Sequence, residues 1–379
     1  MMIATNDLSE LRIDQAFLAD SDSIDRVVAA MSDCLNQGDI ATLRHFFFEH
    51  EPADNAVFLQ LLRPEEALEA MRSLDVADQA GVFGYFDAAH QGGIASLMPR
   101  RELAELMSAM SHDERADLYN RLPEQERKAL LPGLAQAERE DLRRLASYPE
   151  GSAGSIMTSD YAALKKELTA AEAIDALRLQ APDSETIYKA FIVDDERRLV
   201  GSISLRELLL AKTGECVSDL MDTDPVYVRA DAPREQAAQL IARYDLIALP
   251  VVNGGDKLAG IVTPDDAMDV AAEEATEDFH RVGTVQRLPG SLRGASLFML
   301  YRARIFWLLL LIFGNIFSGM GIAYFEDTIA AHIVLVFFLP LLIDSGGNAG
   351  SQSATLMVRA IATGDVQTSD WASLLGREL

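Results

Sequence analysis

Cysteine is nearly absent: Cys34 and Cys216 are the two in 379 residues. They lie far apart and match no metal or redox spacing, so a disulfide framework and a zinc ribbon are both excluded, and a reduced compartment is the plain reading. The six histidines are scattered. No nucleophile–base set, P-loop or zinc spacing can be assembled, so no enzyme class is supported. The opening stretch MMIATNDLSELRIDQ lacks a basic segment followed by an apolar one, and no secretory signal is expected. Positive charge is the largest shortfall: 33 Lys and Arg face 59 Asp and Glu, a formal net charge of −26. So acidic a chain is ill suited to nucleic acid or anionic lipid as partners and well suited to cations.

Long apolar runs are missing from roughly the first three quarters of the chain and then appear. Ile305 to Phe325 carries no formal charge and is long enough to cross a ~30 Å hydrocarbon layer. A second apolar run starts near Thr328, so two membrane helices joined as a hairpin are expected. Arg293, Arg302 and Arg304 precede the first run, Glu326 and Asp327 lie between the runs, and Arg359 and Arg377 follow. The positive-inside rule then puts the large polar part in the cytoplasm; a multi-pass protein among the lipid of the cell (inner) membrane is expected.

What is present is repetitive. Counting in twelves from Leu62 gives Leu74, Phe86, Met98, Met110, Leu122 and Leu134, all apolar. Eight residues after each of these seven stand Ala70, Val82, Ile94, Leu106, Leu118, Leu130 and Leu142, again all apolar. Copies such as MPRRELAELM, MSHDERADLY and LPEQERKALL each show a turn residue, acids in the first turn and an apolar pair, which predicts short helices. Such helices cannot bury their apolar faces singly, so a stacked helical superhelix is expected over residues 1–150.

A longer repeat follows. IVDDERRLVGSISLRELL from Ile192 matches VVNGGDKLAGIVTPDDAM from Val251, with Gly201 and Gly260 in register. Each copy is preceded by an Ile-Met-Thr or Leu-Met-Asp stretch and an amphipathic run. Strand, turn, strand and a helix capped by Ser204 or Thr263 are predicted, with Glu207 and Asp266 at capping-box spacing. Two α/β domains, 151–214 and 215–270, are expected. The pattern resembles a tandem pair of cystathionine-β-synthase (CBS) domains. That resemblance implies a regulatory module able to bind an adenine nucleotide such as ATP, with Tyr188, Glu207 and Asp266 as cleft candidates. Helix capping alone is the other reading of the two acids.

The next stretch, PDDAMDVAAEEATEDFHRVGTV, holds seven acids and no Lys or Arg between Asp265 and Asp278. Asp266, Asp269, Glu273 and Glu277 fall on one helical stripe, flanked by Glu274 and Asp278. Two carboxylates ~4 Å apart repel by about 4 kcal/mol at an effective dielectric near 20, and a bridging Mg²⁺ reverses the sign. Asp113, Glu114 and Asp117 in SHDERADLYNRLP are candidates for an opposing wall. A solvated face is the plainer alternative.

Within the second apolar run, LPLLIDSGGNAGSQSATLMVRA places Asp344, Asn348 and Gln352 four residues apart. On a helix they share one face, suited to a hydrated cation path or to amide bonding between helices. Gly346, Gly347 and Gly350 permit close packing or local unwinding.

This segment, with the acidic helical N domain, the CBS pair and the EEATEDFHRVG connector, resembles the MgtE magnesium transporters. The resemblance implies a multidomain α and α/β protein: superhelix, tandem CBS domains, a connecting "plug" helix over 271–296 and a transmembrane region over 297–379. It implies a homodimeric Mg²⁺ channel whose cytoplasmic acids bind Mg²⁺ and close the pore when Mg²⁺ is high. Asp266, Asp269, Glu274, Glu277 and Asp278 would carry the sensing, with Asp113 or Asp117 opposite. The family has five membrane helices with its key pore acid on the last, whereas two apolar runs are present here. A membrane-tethered CBS nucleotide sensor is the alternative function.

Overall fold

The computed structural model describes residues 21–212, 214–282 and 297–362, with Leu8 and Gly376 as isolated positions. The chain divides into two compact units, Met1–Met268 and Asp269–Leu379. Residues 283–296 of the expected plug helix, Arg293 and Arg377 lie outside the described residues.

The first unit opens with ten helices among the described residues: α1 (Ser21–Gln37), α2 (Ile40–Glu49), α3 (Pro52–Leu59), α4 (Pro64–Met71), α5 (Val76–Gly84), α6 (Ala88–Leu97), α7 (Arg100–Ala109), α8 (His112–Arg121), α9 (Glu124–Leu130) and α10 (Gln136–Leu145). From α3 onward each helix packs on the next but one, which is the expected superhelix. All fourteen positions of the twelve-residue pattern are buried. Each large one contributes about 2 kcal/mol by leaving water. The turn residues mark the helix starts as predicted: Asp75 accepts a hydrogen bond from the Asp78 amide and Asp87 from the His90 amide. Arg72 grips Glu102 with two bonds of 2.8 Å across the stack.

Two α/β modules follow, each with a three-stranded sheet. In the first, β1 (Tyr161–Leu164) runs parallel to β2 (Thr186–Val193), which pairs antiparallel with β3 (Leu199–Ser204). The second repeats this with β4 (Val228–Arg229), β5 (Leu249–Val252) and β6 (Leu258–Val262). The amphipathic runs form α11 (Ala170–Gln180) and α14 (Arg234–Tyr244). Helix α12 (Leu205–Leu210) follows β3, a short α13 (Val217–Leu220) leads toward the second module, and α15 (Pro264–Val282) follows β6. The short leading strands β1 and β4 escape the sequence pattern, because four and two residues are too few to show an alternation.

The two modules exchange segments. Thr158, just ahead of β1, bridges Ile261 of the second module, and Asp222, ahead of β4, bridges Ser202 of the first. The turns pair reciprocally: the Leu199 amide donates to the Asp256 carbonyl, and the Leu258 amide to the Arg197 carbonyl. The exchange explains the matched glycines. A Cβ on Gly201 would sit 2.7 Å from the Asp222 carbonyl oxygen, and one on Gly260 would sit 2.5 Å from that of Thr158.

In the second unit, α16 (Leu297–Tyr324) contains Ile305–Tyr324, the one helix among the described residues long and apolar enough to cross a membrane. The second apolar run is not the single helix expected. It is divided into α17 (Glu326–Ala331), a 3₁₀ segment (Ile333–Phe338) and α18 (Leu339–Ala362). Glu326 and Asp327, expected in a loop, occupy the first turn of α17, where acids suit the positive end of the helix dipole.

Candidate functional site

Carboxylates from four separated stretches meet where the superhelix abuts the α/β pair. The first turn of α8 brings Asp113 and Glu114. The residues leading into β1 and β2 bring Asp160 and Glu185, held together by a 2.7 Å bond from the Glu185 amide to the Asp160 carbonyl. The first turn of α15 brings Asp265 and Asp266. Thr263 orients Asp266, its hydroxyl donating to the carboxylate at 2.8 Å.

The electrostatics are those of crowded acids. Burial, then the Asp113 charge, pushes Asp266 up to about 8. Burial and Asp113 likewise push Glu114 up to about 7, with Glu185 and Asp265 adding to the effect. Asp113 and Glu185 are raised by burial first and by Asp265 among their neighbours. Asp160 is raised by burial, with Asp141 and Asp113 adding, against His112 and Arg115. Asp141 goes the other way. Burial opposes its charge, but hydrogen bonds from His112, Ser159 and Arg144 outweigh that and hold it well below the usual carboxylate range. Donors satisfy Asp141, whereas the remaining acids mainly face one another.

One rim of the cluster is already latched. His112 on α8 lies 2.9 Å from Asp141, 3.0 Å from Asp160 and 2.6 Å from the Ser159 hydroxyl. Arg144 pairs with Asp141 and donates to the Ala259 carbonyl on β6 at 3.5 Å. Among the described residues, no three His, Cys, Asp or Glu are grouped so as to hold a metal ion. The acids therefore form facing walls, not a finished cage. Hard carboxylate oxygens on opposed walls suit a cation that keeps part of its water, such as Mg²⁺.

The structure brings together Asp113, Glu114 and Asp266 of the sequence candidates. Asp117, one turn further along α8, pairs with Arg121 at 3.2 Å. Asp269 and Glu273 are exposed and Glu274 half-buried on the following turns of α15, which is one unbroken helix as the stripe required. Glu277 and Asp278 lie in α15, but their side chains are outside the described residues. Sequence reasoning missed Asp160 and Glu185, which sit in short loops with no repeat or spacing to mark them. His112 opens the SHDER copy and could have been suspected there.

Tyr188 is two-thirds exposed on β2. Glu207 closes a capping box, accepting from the Ser204 amide at 2.8 Å and from its hydroxyl at 2.7 Å. On α18, Asp344 accepts from the Asn348 amide group at 3.3 Å. Asp344, Asn348 and Gln352 therefore share a face, as their spacing required. The helix is continuous through its three glycines, without the unwinding they permit.

Three family models match in succession: "MgtE intracellular N domain" over 50–151, "CBS domain" over 153–214 and 217–273, and "Divalent cation transporter" over 339–379. The cytosolic domain of the Mg²⁺ channel MgtE, solved in complex with ATP, is 34% identical, with a TM-score of 0.61, and is covered over 99% of its length by 64% of this chain. The chain belongs to the MgtE family. A second solved structure, the soluble part of a magnesium transporter, is 28% identical at a TM-score of 0.60, matched over 66% of this chain and 99% of its own. Magnesium transporter MgtE of Thermus thermophilus is 41% identical over 63% of this chain and 53% of its own length; that of Bacillus subtilis is 35% identical over 62% and 51%. The chain thus spans about half the length of the curated relatives it matches. Its MgtE architecture is the expected one: a helical N domain, a CBS α/β pair and carboxy-terminal helices.

Proposed function

We propose that this chain is the sensing and gating part of a Mg²⁺ channel of the cell membrane, acting as a homodimer with its N and CBS domains in the cytoplasm. The observation that carries the reading is the set of facing carboxylates on α8, α15 and the loops before β1 and β2, raised by burial and by one another. At low Mg²⁺ their repulsion drives the superhelix and the CBS pair apart. At high Mg²⁺ the cation bridges the walls, and the acids farther along α15, Asp269, Glu273, Glu274, Glu277 and Asp278, pass the change toward the membrane helices. The shared face of Asp344, Asn348 and Gln352 is the candidate cation path. The family of named magnesium transporters supports the choice of ion.

The test is small-angle scattering of the full chain in detergent from chelator to millimolar Mg²⁺. Compaction on adding Mg²⁺ is expected, and Asp113→Ala with Asp266→Ala should abolish it. A wild-type profile unchanged across the series refutes the reading. A second ligand is favoured by one observation, the ATP bound by the solved relative. ATP would tune the same CBS pair near the exposed Tyr188. Glu207, already engaged at the head of α12, is the weaker contact. A nucleotide response in chelator with none to Mg²⁺ would instead make the chain a nucleotide sensor.

A further inference from the structure

Arg115 follows the two α8 acids and points away from water, with 2% of its surface exposed. Burying a guanidinium is costly unless carboxylates answer it. Elsewhere in the superhelix an arginine is answered by close contact, as Arg72 is by Glu102 at 2.8 Å through two nitrogens. Arg115 is different. Among the described residues its one ion pair is with Glu138, at 4.0 Å. Its charge acts instead on a group of acids: Glu138 first, then Asp141, Asp160 and Asp113. Two of these, Glu138 and Asp141, belong to α10. Asp113 is on its own helix and Asp160 is on the first CBS domain.

We propose that Arg115 is a resident counter-cation of the carboxylate cluster. It supplies one fixed positive charge that partly offsets the acids' repulsion when Mg²⁺ is low, so that separation is less complete than the acids alone would make it, and it repels Mg²⁺ when the ion arrives. The inference rests on the Mg²⁺ reading above and adds its set point. Because the arginine is covalently fixed, it contributes a cation-independent share of the docking. Because its charge acts on the same acids, it weakens their hold on a divalent ion. His112, which latches Asp141 and Asp160 directly, lies on the same rim. Arg115 differs in being buried and in spreading its field over both walls.

The experiment uses the full chain in detergent, with MgCl₂ as the probe. Docking is read by scattering and Mg²⁺ affinity by calorimetry. In Arg115→Gln, docking in chelator should fall, saturating Mg²⁺ should restore it, and the Mg²⁺ affinity of the docked form, corrected for the docked fraction read by scattering, should rise about tenfold, as expected for removing one unit charge from a screened cluster. Arg115→Lys should restore both readouts toward wild type, which a shape-filling role of the guanidinium would not do. Glu138→Gln frees Arg115 from its nearest acid and should act oppositely: stronger docking in chelator and weaker Mg²⁺ binding. This second variant decides the matter if Arg115→Gln loses its helical signal. Unchanged or weaker Mg²⁺ binding in folded Arg115→Gln, or unchanged binding in Glu138→Gln, overturns the proposal. A wild-type chain that ignores Mg²⁺ overturns the underlying reading instead.

Discussion

Raising the pH in chelator should pull the superhelix away from the CBS pair. Docked, Asp266 stands at about 8 and Glu114 at about 7, against ordinary values of 3.8 and 4.5 once the walls part. The docked form therefore binds more protons, so docking is favoured at low pH and weakens as pH rises through that window. Between about pH 6 and pH 8 the two groups together remove at most ~4 kcal/mol, at about 1.4 kcal/mol for each proton held across one pH unit. Solvent screening at these incompletely buried carboxylates reduces this to ~2 kcal/mol, about a thirtyfold change in the docking constant. The assay is energy transfer between dyes on Glu126→Cys of α9 and Glu196→Cys of the first CBS turn, both exposed sites, in a Cys34→Ser, Cys216→Ser background. Transfer should fall with rising pH in chelator. It should stay high throughout in millimolar Mg²⁺, and in chelator when Asp266→Asn and Glu114→Gln are present. Transfer that ignores pH in chelator, or falls equally in Mg²⁺, refutes the electrostatic account.

Three further outcomes are expected. Gly260→Ala forces a methyl against the Thr158 carbonyl, 2.5 Å from the ideal Cβ, and should cost about 2–4 kcal/mol in thermal unfolding of the CBS pair; an unshifted melt would mean the exchanged segment gives way freely. His112→Gln removes the latch to Asp141 and Asp160 and should weaken docking in chelator by about 1–3 kcal/mol, read by the same dye pair, with no loss standing against the latch. Asn348→Ala, placed in a version that carries the rest of the membrane region, should change Mg²⁺ flux through vesicles while leaving Mg²⁺-dependent docking intact; unaltered flux assigns the residue to packing.

The amino-acid sequence by itself determined what local burial and local hydrogen bonding dictate. The twelve-residue period sets the superhelix because each short helix must hide one apolar pair, and its fourteen positions are all buried. Ser204 with Glu207 caps the start of α12 through contacts that lie within four residues. The acid stripe of α15 and the shared face of Asp344 and Asn348 follow from helical geometry alone. Tertiary structure decided the rest. The segment exchange that makes Gly201 and Gly260 obligatory joins residues from different modules. The meeting of Asp113 and Glu114 with Asp265 and Asp266 depends on how α8 packs against the CBS pair, which no local pattern records. Asp160, Glu185 and Arg115 acquire their roles through proximity across four stretches of chain, and Coulomb energy depends on distance in space, which sequence separation does not record.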